Sequence, residues 1–188
     1  MSEAPAPQTL GAADDLFGDN SESSYLIADL DEGRYRANPD MFYSEEYEPQ
    51  LSAIIDHVID TEGPIHEDVL VRRIARRHGF QRAGRQIRDI VIEIAKRRRD
   101  WTKEDVGLFF WRQGTIKDRL TPARYKGRDE EMRKVEYICK EEIQAIGALL
   151  SLSDDPIDLA RSIGIIRLSQ SAHKRLSEAL RTSHDSKV

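Results

Sequence analysis

Apolar residues recur at helical spacing in three successive stretches of the chain. Leu51, Ile54, Ile55, Val58 and Ile59 follow i, i+3, i+4, i+7, i+8, which predicts an amphipathic helix over 51–60. Pro49 lies near its start and Gly63-Pro64 stops it. Val69, Leu70, Ile74 and Ala75 form the apolar side of a second helix, predicted from about Ile65 to His78. Glu67 and Asp68 fall in its first turn, where the helix dipole favours acids, and Gly79 suits a left-handed C-cap. Ile87, Ile90, Val91, Ile94 and Ala95 give a third stripe, predicting a helix over about 83–97. Two helices, a tight turn at His78-Gly79-Phe80 and a third helix form the skeleton of a helix-turn-helix unit.

The period then shortens. Val106–Arg112, VGLFFWR, is rich in aromatic and β-branched residues and reads as a strand, with a turn at Gln113-Gly114. Val135, Tyr137 and Cys139 alternate, so Lys134–Cys139 reads as a returning strand. The long stretch between them is then either a wing or a loop that contacts substrate. Helical spacing returns with Ile143, Ile146, Gly147 and Leu150, breaks over Ser151–Pro156, and resumes in a short helix over Ile157–Ile163. Gly164 stops that helix, and Ala172, Leu176, Ala179 and Leu180 mark a last one. The expected fold is mainly α (α+β): a winged-helix-like helix-turn-helix with a small β-hairpin, followed by a second, degenerate three-helix unit. A shift of 85 residues supports the repetition: Ala75 meets Ala160, Arg76 meets Arg161, Gly79 meets Gly164, Arg82 meets Arg167 and Val91 meets Leu176.

Composition divides the chain. Residues 1–24 are rich in Ala, Pro, Ser, Asp and Gly and are expected to be a disordered acidic leader. Residues 25–139 hold a lead-in segment plus the winged-helix-like domain, 140–181 the second helical unit packed on the first, and 182–188 a flexible tail. Tyr25, Tyr35, Phe42, Tyr43 and Tyr47 of the lead-in either staple it to the core or offer a base-stacking platform. Phe109, Phe110 and Trp111 pose the same choice between anchoring the β-element and stacking bases.

The net charge of −5 hides a split. Residues 1–50 hold 12 acidic and 2 basic side chains, whereas the remainder holds 22 and 27. Between Arg72 and Arg99 there are 11 Lys/Arg against Asp89 and Glu93. Arg72, Arg73, Arg76 and Arg77 share one helical face, and Arg82, Arg85 and Arg88 surround the following corner. Guanidinium groups grip phosphates bidentately and stay charged, and duplex DNA rewards such a cluster through counterion release. With Gln81 and Gln86 near the start of the third helix, the candidate nucleic-acid-binding set is Arg72, Arg73, Arg76, Arg77, Gln81, Arg82, Arg85, Gln86 and Arg88. The competing reading is a solvated face, or one paired with acids of the leader or of a partner.

Other chemistries are poorly represented. No run of about 18 apolar residues exists to span a membrane. The first residues have neither the basic nor the apolar segment of a secretory signal, and the lone Cys139 excludes a disulfide framework, so a cytoplasmic protein is expected. The five histidines have no ligand-type spacing, Gly79–Gly84 lacks the Lys-Ser/Thr of a phosphate-binding loop, and no catalytic constellation is readable. No catalytic residue, cofactor or metal is expected.

Two runs, FYSEEYEPQL and EGPIHEDVLVRRIARRHGFQRAGRQIR, resemble a bacterial domain of unknown function. That domain typically ends very large proteins with a superfamily 1 helicase motor, often with a Vsr- or Mrr-like nuclease segment nearby. The likeness is most specific at Glu62–Asp68 and His78–Gly84, spans about Tyr25 to Leu180 and weakens after Trp111. It implies a winged-helix-like fold and a place in DNA transactions, in restriction or phage defence, and it assigns no catalytic residue. Without a Walker motif in this chain, the expectation is a non-enzymatic module that binds or positions double-stranded DNA, with a helicase or nuclease protein as a further partner. The alternative is a protein-docking adaptor that uses the winged-helix surface or the lead-in segment.

Overall fold

A computed structural model describes residues 25–30, 35–115, 121, 123–124, 133–150, 155–165 and 167–185, with side chains to Arg181. The leader expected over 1–24 lies outside the described residues. Among these residues the chain folds into six α-helices and one three-stranded antiparallel sheet. No helix among them is long and apolar enough to cross a membrane.

The described residues of the lead-in show no regular structure until Pro39, where a turn forms: Phe42 N–H donates to Pro39 O, and Asp40 N–H donates to Asn38 Oδ1. A 3-10 turn at Glu45–Tyr47 leads into α1, Glu48–Glu62, with Pro49 in its first turn. After a cis Gly63-Pro64 bond comes the short strand β1, Ile65–His66. α2 spans Glu67–Arg77 and α3 spans Arg85–Arg98. The hairpin strands β2, Trp101–Glu104, and β3, Gly107–Phe110, follow. β3 is the middle strand: Ile65 pairs with Phe110 on one side, and Trp101 pairs with Phe110 on the other. Three helices, a short strand after the first, and a hairpin whose second strand returns to it make up the winged-helix arrangement.

The hairpin is not the one expected. Lys134–Cys139 is no strand; it holds a 3-10 turn at Val135–Tyr137. Its alternation reflects Val135 and Cys139 facing the interior with Tyr137 half-buried between them. β3 pairs instead with β2 across the two-residue turn Asp105-Val106, and so short a loop closes at little entropic cost. β2 carries no strand signal in its sequence because WTKE is an edge strand with no fully buried position and no apolar alternation. The wing is the Asp105-Val106 turn, and most of the stretch between Arg112 and Lys134, where a wing or a substrate-contacting loop was expected, lies outside the described residues.

Successive residues of β3 face opposite ways and feed different cores. Phe110 joins Leu51, Ile55, Leu70, Ile74, Val91 and Ile94 between the first three helices, together with Phe42 and Tyr47 of the lead-in. Phe109 joins Trp111 and Cys139 on the other side. Both phenylalanines are fully buried, so these rings anchor the sheet and do not stack bases. In the lead-in, Phe42 and Tyr47 are likewise buried and Tyr43 is half-exposed.

A second core forms from Val135 and Ile138 with α4 (Lys140–Leu149), α5 (Pro156–Ser162) and α6 (Gln170–Asp185). α6 runs past Thr182, where a flexible tail was expected, because no Gly or Pro interrupts it. The echo at a shift of 85 is visible in hydrogen bonds. Gly79 N–H donates to Arg76 O and Phe80 N–H to Ala75 O; Gly164 N–H donates to Arg161 O and Ile165 N–H to Ala160 O. Both corners are Schellman caps with a left-handed glycine, at φ 76° and 83°. α3 and α6 begin 85 residues apart, and Ile87, Val91, Ile94 and Ala95 are buried as are Ala172, Leu176, Ala179 and Leu180.

The wing turn is backed closely by the start of α2. Gly107 has φ +138°, and a Cβ there would lie 2.6 Å from Glu67 Oε1 and 2.7 Å from His66 Nε2. Gly107→Ala is expected to lower the unfolding free energy by about 2–3 kcal/mol, read from urea denaturation. An unchanged midpoint would mean that the turn rearranges without strain.

Candidate nucleic-acid interface

The arginines grouped by helical spacing separate in the folded chain. α2 begins on His66, whose Nδ1 accepts from Asp68 N–H at 3.1 Å while Nε2 donates to Val106 O at 3.0 Å. From that start Arg73 reaches inward, its Nε 3.1 Å from Oε1 of the fully buried Glu62. Arg77 donates to Tyr35 O at 2.6 Å. Arg72 is half-buried with its guanidinium carbon 5.5 Å from the centre of the Tyr137 ring. Arg76 is exposed. Arg88, one turn into α3, bridges Glu67 Oε2 at 2.8 Å and Asp68 Oδ1 at 2.5 Å and so ties α3 to the start of α2. At the far end of α3, Arg97 meets Glu48, Arg98 meets Asp56, and Arg99 meets both Asp56 and Asp60. Much of the basic run therefore holds helices together.

What stays outward is the corner. Gln81, Arg82, Ala83, Gly84, Arg85 and Gln86 are all exposed, and the Arg85 side chain is 95% so, with only a loose 3.7 Å approach to Asp89. Gly84 is the N-cap of α3 and supplies no side-chain acceptor. The first intrahelical bond runs from Arg88 N–H to Gly84 O, so the amides of Arg85, Gln86 and Ile87 have no partner inside the helix. An uncapped helix start with exposed arginines favours an anion through both its dipole and its open N–H groups. Further along α3 the exposed positions are Asp89 and Glu93, then Lys96, Arg97 and Arg98.

The wing is occupied. Arg175 of α6, only 4% exposed, donates to Glu104 Oε2 at 2.6 Å and Asp105 Oδ1 at 3.0 Å, and also to Ile138 O. Lys103 and Trp101 remain at the surface of β2, with Lys96 Nζ 5.2 Å from the Trp101 ring centre.

Residues 40–89 match the family model described as a protein of unknown function (DUF3320). The matched stretch runs from the turn at Asp40 through α1, β1 and α2 to the first turn of α3. No curated protein and no solved structure matches the chain. Within the DUF3320-like stretch, Glu62–Asp68 is internal wiring. Glu62 is fully buried, a Cβ at Gly63 would lie 2.5 Å from Ile59 O, Pro64 O accepts from Arg124, and His66 caps α2. His78–Gly84 divides in two. His78 donates through Nδ1 to Ile74 O and accepts at Nε2 from Tyr47 O–H, and burial holds its imidazole below the ordinary value. Phe80 packs edge-on against Phe42. Gln81 to Gly84, by contrast, face solvent.

Charged residues that spacing did not single out form the centre of the molecule. Glu142 of α4, fully buried, accepts from Arg124 at 2.8 Å and from Arg133 at 2.7 Å through both oxygens. Burial alone would raise its carboxyl value; Arg133 and Arg124 outweigh that and hold it down to about 2. Arg124 also donates to the carbonyls of Glu62, Gly63 and Pro64. Tyr25 donates to Glu62 at 2.6 Å, and its phenol is pushed above its ordinary value by burial and by that carboxylate. Glu104, Cys139 and Glu141 place candidate ligand atoms within 4.8 Å of one another. Both Glu104 oxygens are already engaged, by Lys140 N–H and by Arg175. Burial and the neighbouring Glu142 and Glu141 push the Cys139 thiol well up, which disfavours the thiolate that a metal needs.

Glu142→Gln leaves two buried guanidinium groups short of their counter-charge and is expected to destabilise by about 3–5 kcal/mol. In the native protein the depressed value means that Glu142 contributes fully above about pH 4.5, and the contribution is lost as pH falls toward 2. Equilibrium unfolding between pH 2 and 7 should show that acid limb flattened in the variant.

Proposed function

We propose that the chain is a non-catalytic module that binds or positions duplex DNA. The observation that carries this reading is the exposed corner Gln81–Gln86, where two outward arginines flank an uncapped helix start. Two glutamines stand beside them, able to bond base edges or phosphates. In a helix-turn-helix this part of the third helix approaches the major groove first. The resemblance of the EGPIHED and HGFQRAG runs to a helicase-associated domain supports placing the module beside a helicase or nuclease, in restriction or phage defence.

A second reading, a protein-docking adaptor, draws on two observations. The exposed face of α3 beyond its first turn carries Asp89 and Glu93, and the wing turn is held by Arg175 rather than presented to a groove. Both suit a partner of mixed charge better than a long polyanion.

Fluorescence anisotropy with a labelled duplex separates the two readings. Affinity should fall steeply with salt, and Arg82→Glu together with Arg85→Glu should reduce it at least about tenfold and shallow the salt slope by about 2. Both side chains are exposed, so the variant should keep its melting temperature. Absence of duplex binding at low salt would remove the DNA reading and leave the adaptor.

A further inference from the structure

A second cationic feature lies away from the exposed corner. Tyr25, Pro64, Ile65, His66, Val69, Arg72, Arg73, Arg133, Lys134 and Tyr137 enclose a half-open cavity of about 150 Å³. Its walls come from the lead-in, β1 with α2, and the turn before α4. Four of its lining residues are cations and none is a carboxylate. Arg124 lies behind it, and the carboxylates Glu62 and Glu142 are buried nearby. Glu62 serves Arg73, and Glu142 serves Arg124 and Arg133. Arg72 and Lys134 have no carboxylate partner among the described residues; instead both lie against the Tyr137 ring, at 5.5 and 5.8 Å. Arg133 sits 4.4 Å from the Tyr25 ring. An aromatic face steadies a cation without neutralising it and leaves its N–H donors available.

We infer that this cavity is a binding site for a terminal phosphate, a phosphomonoester dianion. Two cations, Arg72 and Lys134, with no carboxylate partner among the described residues suit a dianion better than a carboxylate. Planar guanidinium forks and an ammonium suit its several oxygens. The volume falls below the roughly 300–1,000 Å³ of sites that enclose a whole small molecule, so the cavity takes a group and leaves the rest outside. A phosphodiester within a strand is tethered on both sides and would not enter such a recess, whereas an end would. The site does not depend on the exposed corner meeting duplex.

Two sources offer this chemistry: a free phosphomonoester and the 5′-phosphorylated end of a nucleic-acid strand. Calorimetric titration of the full chain should show saturable binding of inorganic phosphate that Arg72→Ala with Lys134→Ala abolishes. Neither side chain is in an ion pair among the described residues, so the double variant should melt as the native protein does. Should it not, Lys134→Glu alone, at an exposed position, serves the same purpose. Arg82→Glu with Arg85→Glu should leave phosphate binding intact, so that loss of duplex binding and loss of this site register separately. A short oligonucleotide with a 5′-phosphate that binds at least about tenfold tighter than its 5′-hydroxyl counterpart identifies a strand end as the ligand. Equal binding of the two, with phosphate still bound, supports a free phosphomonoester. No saturable phosphate binding and no preference for the phosphorylated end, or binding unchanged in the Arg72/Lys134 variant, would overturn the inference.

Discussion

Two buried carboxylates, Glu62 and Glu142, hold the described parts of the chain in register. Each is fully buried, and each is met by guanidinium groups, which a carboxylate shut away from water requires. Arg124 joins the two sites: its forks take both Glu142 oxygens and the carbonyls at the end of α1. Those carbonyls would otherwise lack partners where α1 stops at Gly63. The lead-in is tied to the same place, because Tyr25 and Ala28 both donate to Glu62. Such an arrangement adds less net stability than its number of bonds suggests, since desolvation offsets much of the attraction. Its strength is directional: only one relative placement of lead-in, α1 and α4 satisfies every partner.

This wiring decides how the basic run is to be understood. Eleven cations between Arg72 and Arg99 look like an open polyanion-binding face until their partners are traced. Arg73, Arg88, Arg97, Arg98 and Arg99 each answer an acid on another element, and Arg77 answers a carbonyl. Arg175 does the same for the wing, where it pairs with Glu104 and Asp105. The turn from Gln81 to Gln86 is exposed along its whole length, and it stands on a rigid base. Gly79 and Phe80 close the Schellman cap behind it, and Arg88 fastens the helix that follows.

The helices were legible because their stripes are unbroken: every apolar position that marked α1, α2 and α6 is buried. The glycines at 79 and 164 were legible because a left-handed cap is a local requirement. β2 was not, since an edge strand of polar residues leaves no periodic trace, and with it the place of the wing was lost. The ionic centre went unread for a different reason. Glu62 follows Val58 and Ile59 at i+4 and i+3, and Arg175 lies between Ala172 and Ala179 on the buried side of α6. A charged residue within an apolar stripe signals a buried ion pair, but spacing along one helix does not name its partner. Arg124 and Arg133 come from outside any periodic element, so nothing local pointed to them.

The positions of Asp89 and Glu93 constrain how α3 could meet DNA. A helix laid lengthwise in the major groove would bring both acids, along with Arg85 and Lys96, toward bases and phosphates. Carboxylates there are tolerated only where they accept from a cytosine amino group and are otherwise repelled. Entry by the N-terminal end avoids that conflict. The dipole and the amides of Arg85 and Gln86 then face the phosphates, Arg82 and Arg85 flank them, and the acids lie a turn or more behind. With the wing turn pinned by Arg175, none of the described residues would form a second arm to fix the orientation of a duplex. An end-on contact of this kind has a small footprint and little sequence information, which suits a module that positions DNA for a partner better than one that selects a site.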